Sequence, residues 1–328
     1  MAKIALLVLS HKPESTQYLL DLLDNRFAVF IHMDARVSLA ERPLRLPANA
    51  KLTATRLPVF WGGFNMVLAT RILIAEAKAD NPQFERYVLI SGDALPTAAL
   101  DKIEAALLDP MTEYIDLAEV ENDPSLRHLS HAETRKKYRW VQPWHFQNYT
   151  FWDHVLAGPR TEKEVAEIYN LGPDSLQKIR HDVHFLTEDI LRRIPPRPSI
   201  FEKFYYGSQW WALSGHLMNL IYDEMFDPNV ENFFALMAIP DEHFFHCLVG
   251  RSLPALAKQG TRVLGTIMFT DHADPVRASF GDDALLGEKF LNNHKMNGKL
   301  FARKFDPKRA PEIAKMISEK QYFSRIAT

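Results

Sequence analysis

The sequence predicts an α/β fold in which a Rossmann-type, mixed but mostly parallel sheet is flanked by helices. Two observations carry that expectation. Short apolar runs alternate with segments of helical spacing through the first half, the pattern of strands joined by crossover helices. The chain also has 328 residues, 47% of them hydrophobic and 24% charged, enough to bury one sizeable core.

Ile4–Leu9 is an uninterrupted apolar run and reads as a buried first strand. Thr16–Leu23 has helical spacing, Ala28–Ile31 is a second strand, and Leu52–Thr55 a short third. Val67–Ala79 is spaced as a helix, Tyr87–Ile90 as a buried strand, Leu100–Leu108 as a helix, and Glu113–Leu117 as extended chain. From about His128 to Asp153 the chain is rich in His, Arg, Lys, Trp and Tyr with neither period, which predicts a long functional loop. Helical patterns return at Glu162–Tyr169 and Asp174–Arg192, and Pro195, Pro196 and Pro198 then enforce an extended stretch. Phe204–Ser214 reads as a strand, His216–Met225 and Asp241–Val249 as helices, and a last helix falls near Ala310–Glu319.

Composition excludes several classes of function. The formal net charge of −2 gives no electrostatic basis for bulk nucleic-acid binding. The lone Cys247 excludes an intrachain disulfide and suits a reducing compartment. The apolar run at the N-terminus is only about six residues long, lacks a small-residue cleavage site, and is followed directly by Ser10-His11-Lys12, so it reads as a strand rather than a signal peptide. No segment approaches the roughly 18 apolar residues of a membrane span, and the expectation is a soluble, cytoplasmic protein. No glycine occurs before Gly62, so the first strand–helix turn cannot carry G-x-G-x-x-G; no P-loop pattern occurs either. Any nucleotide must be held by side chains and loops.

Five segments carry the candidate chemistry. They are Ile31-His32-Met33-Asp34-Ala35-Arg36; Val59-Phe60-Trp61-Gly62-Gly63-Phe64; Ile90-Ser91-Gly92-Asp93-Ala94-Leu95-Pro96; Gly207-Ser208-Gln209-Trp210-Trp211 together with Pro240-Asp241-Glu242-His243-Phe244-Phe245; and Leu300-Phe301-Ala302-Arg303-Lys304-Phe305-Asp306. In this order they resemble the core-2/I-branching β-1,6-N-acetylglucosaminyltransferases and the related peptide O-xylosyltransferases, over about residues 3–306. The resemblance implies a GT-A-like fold, a UDP-sugar donor and inversion at the anomeric carbon. It implies one glycosyltransferase domain over 1–328. Residues 1–125 form its nucleotide-sugar-binding half, and 126–328 its acceptor and catalytic half with a C-terminal diphosphate-binding tail.

The chemistry constrains the residues independently. Inverting transfer needs one base for the acceptor hydroxyl and positive charge for the departing diphosphate. Many sugar transferases supply that charge with a cation held by D-x-D, a pattern this sequence lacks, so Arg and Lys must serve and no metal cofactor is expected. The tail offers Arg277, Lys295, Lys299, Arg303 and Lys304. The resemblance assigns the diphosphate to Lys304 of its A-[RN]-K-F element and to Arg277, with Arg303 as the alternate.

Glu242 fits the family's P-[DA]-E-x-[FL] element and is the implied base, with Asp241 as runner-up. Pro240 can start a helix, so a first-turn acid there also stabilises the helix dipole whatever else it does. Asp34 matches the family's H-V-D-x-K stretch near the nucleotide, with Met33 for Val and Arg36 for Lys. Asp93 is assigned to the donor, although it lies three residues before Pro96 where relatives carry the acid two before. Gly62 and Gly63 serve a turn or let backbone approach the donor beside Trp61. One of Trp210 and Trp211 is expected in the core and the other against a sugar. Glu133, Arg135 and Lys136 loosely match an acceptor-side stretch of the branching enzymes, and a basic loop explains them better. His128, His131 and His145 fit no standard zinc spacing.

The donor expected is UDP-N-acetylglucosamine. UDP-xylose is the rival, because Trp61-Gly62-Gly63, Phe244-Phe245-His246 and Phe301-Ala302-Arg303-Lys304-Phe305 look closer to the xylosyl branch. The disulfide-free character suggests a bacterial-type enzyme that builds a surface polysaccharide. A catalytically silent carbohydrate-binding protein on the same scaffold is the alternative of a different class, and a metal-dependent hydrolase is a third.

Overall fold

A computed structural model describes residues 2–59, 63–119, 200–235, 239–270, 286 and 298–319. Its framework is a seven-stranded sheet. Strand β1 (Ile4–Ser10) is flanked by the parallel strands β2 (Phe27–Met33) and β4 (Arg86–Ser91), and β3 (Ala50–Leu52) extends the edge beyond β2. On the other side β9 (Ala212–Ser214) runs antiparallel to β4 and to β6 (Thr112–Tyr114), and β10 (Arg262–Leu264) closes the edge parallel to β6. The order is therefore β10-β6-β9-β4-β1-β2-β3, a mixed but mostly parallel sheet consistent with a GT-A-like α/β fold. All seven residues of β1 are buried, which explains why its sequence is an apolar run rather than an alternation.

Three helices connect the parallel strands. Helix α1 (Pro13–Leu22) starts with proline in its first turn, where the ring's fixed φ suits a helix and its missing N–H costs nothing. Helix α2 (Phe64–Asp80) opens directly after Gly63 and buries Val67, Ala69, Leu73, Ile74 and Ala77; it packs on β1 and β2. Helix α3 (Leu100–Leu107) buries Ile103 and Leu107. Later in the chain come α4 (Gly215–Tyr222), α5 (Pro228–Phe234), α6 (Phe244–Lys258) and α7 (Pro311–Ser318).

Two small sheets fasten the second half of the chain to this framework. β12 (Phe301–Arg303) lies parallel to β11 (Met268–Thr270) and antiparallel to β5 (Leu95–Pro96), which draws the C-terminal tail onto the loop that follows β4. β7 (Ala118–Glu119) pairs with β8 (Tyr205–Tyr206). The tail has its own apolar anchor: Phe305 meets Tyr18 of α1 at 5.2 Å between centroids and is buried with Ile313 and Ile317.

The strands and helices of the first half match the sequence expectation to within a few residues, α1 beginning three residues early at Pro13. Four segments differ. The third strand lies at Ala50–Leu52 rather than Leu52–Thr55; Thr53 donates its hydroxyl to the Thr55 carbonyl at 2.8 Å, which bends the chain out of the sheet. Phe204–Ser214 is not one strand but β8 and β9, because Asp116 accepts the Ser208 N–H at 3.2 Å and holds residues 207–210 off the sheet. A Cβ at Gly207 would lie 2.5 Å from that of Asp116, so this close approach requires glycine. Finally, Pro240–Glu242 forms a 3-10 turn of its own and α6 begins only at Phe244, while His216–Met225 divides into α4 and the 3-10 turn Glu224–Phe226. The long loop expected around 128–153 and the helices expected at 162–169 and 174–192 lie outside the described residues.

Candidate active site

In an open α/β sheet ligands bind beyond the carboxyl ends of the strands, where the strand order reverses. Here that switch lies between β1 and β4, since the chain goes outward from β1 to β2 and β3 and then returns to β4. Ser10, His11 and Lys12 leave the end of β1, Asp34 follows β2, and Ser91, Gly92 and Asp93 end β4. The ends are tied together by backbone: Asp34 N–H to the Ser10 carbonyl at 2.8 Å, and Gly92 N–H to the Leu9 carbonyl at 2.8 Å. A Cβ at Gly92 would lie 2.4 Å from Ser10 Oγ and 2.5 Å from Thr16 Oγ1, so glycine lets the β4 loop settle against the start of α1.

Asp93 lies at the centre of this edge and is 3% exposed. Its Oδ1 accepts the Ser91 hydroxyl at 2.5 Å and Arg303 Nε at 3.3 Å, while Oδ2 faces Lys12 Nζ at 3.8 Å. The Phe305 N–H donates to the Asp93 carbonyl at 2.8 Å, so the tail is fixed to the β4 loop by backbone as well as by charge. Burial alone would raise the Asp93 carboxyl, but Arg303, Ser91 and Lys12 outweigh it and hold it below the ordinary carboxylate value. Burial pushes the neighbouring His11 below its usual value, against an upward pull from Asp93.

Arg303 is held from two sides. Its Nε meets Asp93, and its guanidinium carbon lies 5.0 Å from the centre of the Trp210 ring, in cation–π range. Lys304 follows half-buried, between Arg303 and the buried Phe305. Lys299 is committed elsewhere: its ammonium donates to the Thr266 carbonyl at 2.7 Å, making it a brace rather than a member of a phosphate clamp.

Asp34 binds its own loop. Arg36 grips both carboxylate oxygens, with Nη2 to Oδ2 at 2.7 Å, and the Val59 N–H reaches Oδ2 at 3.3 Å. The loop is braced further by Arg56, which donates to the Val37 carbonyl at 2.9 Å, and by His32, whose Nε2 accepts the Leu57 N–H at 2.9 Å. Burial lowers the His32 pKa to about 4, so the ring is the neutral acceptor this bond requires.

Glu242 is half-buried in the turn Pro240–Glu242, and Asp241 beside it is buried. The left-handed Ile239 (φ 52°) reverses the chain just before the turn, an unusual conformation for a β-branched residue and one found where a site is over-determined. The turn packs against α2, and the Glu242 carbonyl accepts the Gly207 N–H at 3.0 Å. Glu242 thereby joins the segment 207–210, whose Trp210 lies against Arg303. Asp116 secures that segment to the tail side, accepting Ser208 and also the Thr266 N–H at 2.8 Å, and Thr266 Oγ1 donates to the Trp210 carbonyl at 2.8 Å.

The structure thus brings Asp93, Arg303 and Trp210 into one contact set, with Lys304 next in chain and Glu242 one segment away. Trp211 is fully buried with its ring 5.2 Å from Phe245 and is core, which removes it from the sugar-facing role. Gly63 precedes α2 in extended conformation. Trp61, Gly62, Glu133, Arg135, Lys136 and Arg277 lie outside the described residues. Sequence reasoning missed Lys12 and Ser91 as partners of Asp93. The signal for both was available, a polar residue directly after a strand whose carboxyl end faces the switch point.

The switch-point edge of this sheet is therefore lined by Arg, Lys and acid side chains. Residues 11–140 match the family model described as Core-2/I-Branching enzyme (Branch), which supports the family named by the sequence resemblance. That family is one of glycosyltransferases, so the enzyme class is glycosyl transfer between a donor and an acceptor substrate. The matched stretch takes in β2, α2, β4 and Asp93; Glu242 and the β12 tail lie beyond it. No curated protein matches the chain. Among the described residues no helix is long and apolar enough to cross a membrane.

Proposed function

We propose that the protein is an inverting, metal-independent glycosyltransferase that moves a sugar, N-acetylglucosamine by preference, from a UDP-sugar to a hydroxyl of a glycan acceptor. The Glu242 carboxylate takes the proton of the acceptor hydroxyl as its oxygen attacks the anomeric carbon. The bond from that carbon to the β-phosphate oxygen breaks on the opposite side, and UDP leaves with both bonding electrons. Arg303 and Lys304, with Arg277, balance the charge that develops on the diphosphate, and Asp34 lies on the nucleotide side. Trp210, Asp241 and the stretch with Glu133, Arg135 and Lys136 serve the acceptor side.

The observation that carries this reading is the position of Arg303, fixed between Asp93 and Trp210 at the carboxyl ends of β1 and β4 with Lys304 beside it. Two adjacent cations at a switch point are what a leaving diphosphate needs where no D-x-D holds a metal.

The test is UDP release from UDP-N-acetylglucosamine, with UDP-xylose in parallel, in excess EDTA. Undiminished turnover is expected, and loss on chelation restored by added manganese or magnesium would contradict the reading. Glu242→Gln is expected to lower kcat by roughly 10²–10⁴-fold while UDP still binds. Full activity in that variant would remove Glu242 from the mechanism. A protein that binds UDP-sugar but transfers to no acceptor would favour the silent carbohydrate-binding alternative.

A further inference from the structure

Asp93 is poorly placed to touch a ligand. Its side chain is 2% exposed, one oxygen is shared by Ser91 and Arg303, and the other makes no hydrogen bond and faces the Lys12 ammonium. Besides Ser91, its charged partners come from two distant parts of the chain, the end of β1 and the end of β12, which converge on it.

The electrostatics explain why a carboxylate belongs there. Without a neighbouring anion Lys12 and Arg303 would repel each other, and each long side chain would swing out to water. One buried anion between them balances part of that repulsion before any ligand arrives. It contacts Arg303 through Nε, so this contact does not consume the terminal amino groups of the guanidinium, while Trp210 limits the movement of its plane. Preorganised cations bind a developing anion without first being ordered.

We propose that Asp93 is a positioning residue, which holds Arg303 and Lys12 in place for the anionic leaving group and does not itself contact the donor. The proposal rests on the reading of this crevice as a diphosphate site, and it replaces the donor contact that the sequence resemblance assigned to Asp93. It makes a prediction of unusual sign. Deleting a negative charge beside an anion site should tighten anion binding by Coulomb's law alone. If Asp93 works by positioning, deletion weakens binding instead.

Calorimetric titration with UDP and with UDP-N-acetylglucosamine in EDTA, on wild type, Asp93→Asn, Arg303→Met and the double variant, decides the matter. Asp93→Asn is expected to weaken both ligands by about tenfold, equal to about 1.4 kcal/mol. In the Arg303→Met background the same change is expected to cost less, since only Lys12 is then left for Asp93 to position. Unchanged or tighter UDP binding in Asp93→Asn overturns the proposal, as does a loss confined to the nucleotide sugar, which would mean direct sugar contact. A loss of the same size in the Arg303→Met background overturns it too. Wild type that binds no UDP would instead defeat the site reading itself. Should Asp93→Asn not fold, Ser91→Ala keeps the carboxylate but removes its hydroxyl donor; it is expected to weaken UDP by roughly two- to fivefold, and no change there overturns the proposal.

Discussion

Strand β4 begins and ends with a buried ion pair, and the two pairs are built differently. At its start Arg86 and Glu113, 1% and 2% exposed, approach to 3.2 Å. Arg86 also donates to the carbonyls of Leu107, Thr112 and Asp109, and Glu113 accepts both the N–H and the hydroxyl of Ser214, at 2.7 and 2.5 Å. Nearly all of its bonding capacity goes into joining β4, β6 and β9. At the other end Asp93 is as deeply buried, but its Arg303 is 18% exposed and, among the described residues, hydrogen-bonds only through Nε. A saturated pair holds strands together, whereas a pair whose cation is partly exposed can accept a further anion. Burial of an ion pair does not distinguish structure from function; the unspent donors do.

The largest effect should separate the two ends by stability. Arg86→Met leaves Glu113 buried without its cation and should cost about 3–5 kcal/mol in denaturant unfolding, with UDP affinity retained by the folded protein. Arg303→Met should weaken UDP by roughly tenfold or more and cost less stability than Arg86→Met, because Lys12, 3.8 Å away, still faces the buried Asp93 carboxylate. Similar stability losses in both variants would break the comparison.

A smaller effect has opposite signs at the two ends. The Asp93 carboxyl is held below its unfolded value, so the unfolded chain binds more protons. Its contribution is present above the unfolded pKa, about 3.9, and is lost as pH falls through the folded value. Asp93→Asn should flatten the acid limb of the stability profile. Burial raises the Glu113 carboxyl, against the pull of Ser214 and Arg86, so the folded chain binds more protons and stability declines as pH rises through that window. Glu113→Gln should remove this decline and leave the acid limb no flatter. The smallest effect is local: Asp93 raises His11, so Asp93→Asn should lower the His11 pKa further, measurable by NMR titration. A rise would show that the two do not interact as the geometry requires.

The parallel core was legible because its signal is local. A fully buried strand such as β1 must be apolar throughout, and a helix such as α2 must repeat its buried positions within its own length. The misread segments depend on distant partners. Phe204–Ser214 is rich in aromatic strand formers at both ends, but Asp116, some ninety residues earlier, diverts its middle. Pro240 was a sound helix-start signal, yet the left-handed Ile239 and the bend at His243 make a separate turn there. The site shows the same division. Motif order brought out Asp34, Asp93, Glu242, Arg303 and Lys304, but no local pattern reveals that Asp93 meets Arg303 across 210 positions or that Lys299 is spent on Thr266.

A crystal grown with UDP in EDTA tests the central claim most directly. The account predicts the diphosphate at the carboxyl ends of β1 and β4, with its oxygens within hydrogen-bond reach of Arg303 and Lys304, and no phosphate contact to Asp93. A diphosphate bound at another edge of the sheet, or reached only by acidic side chains, would contradict it.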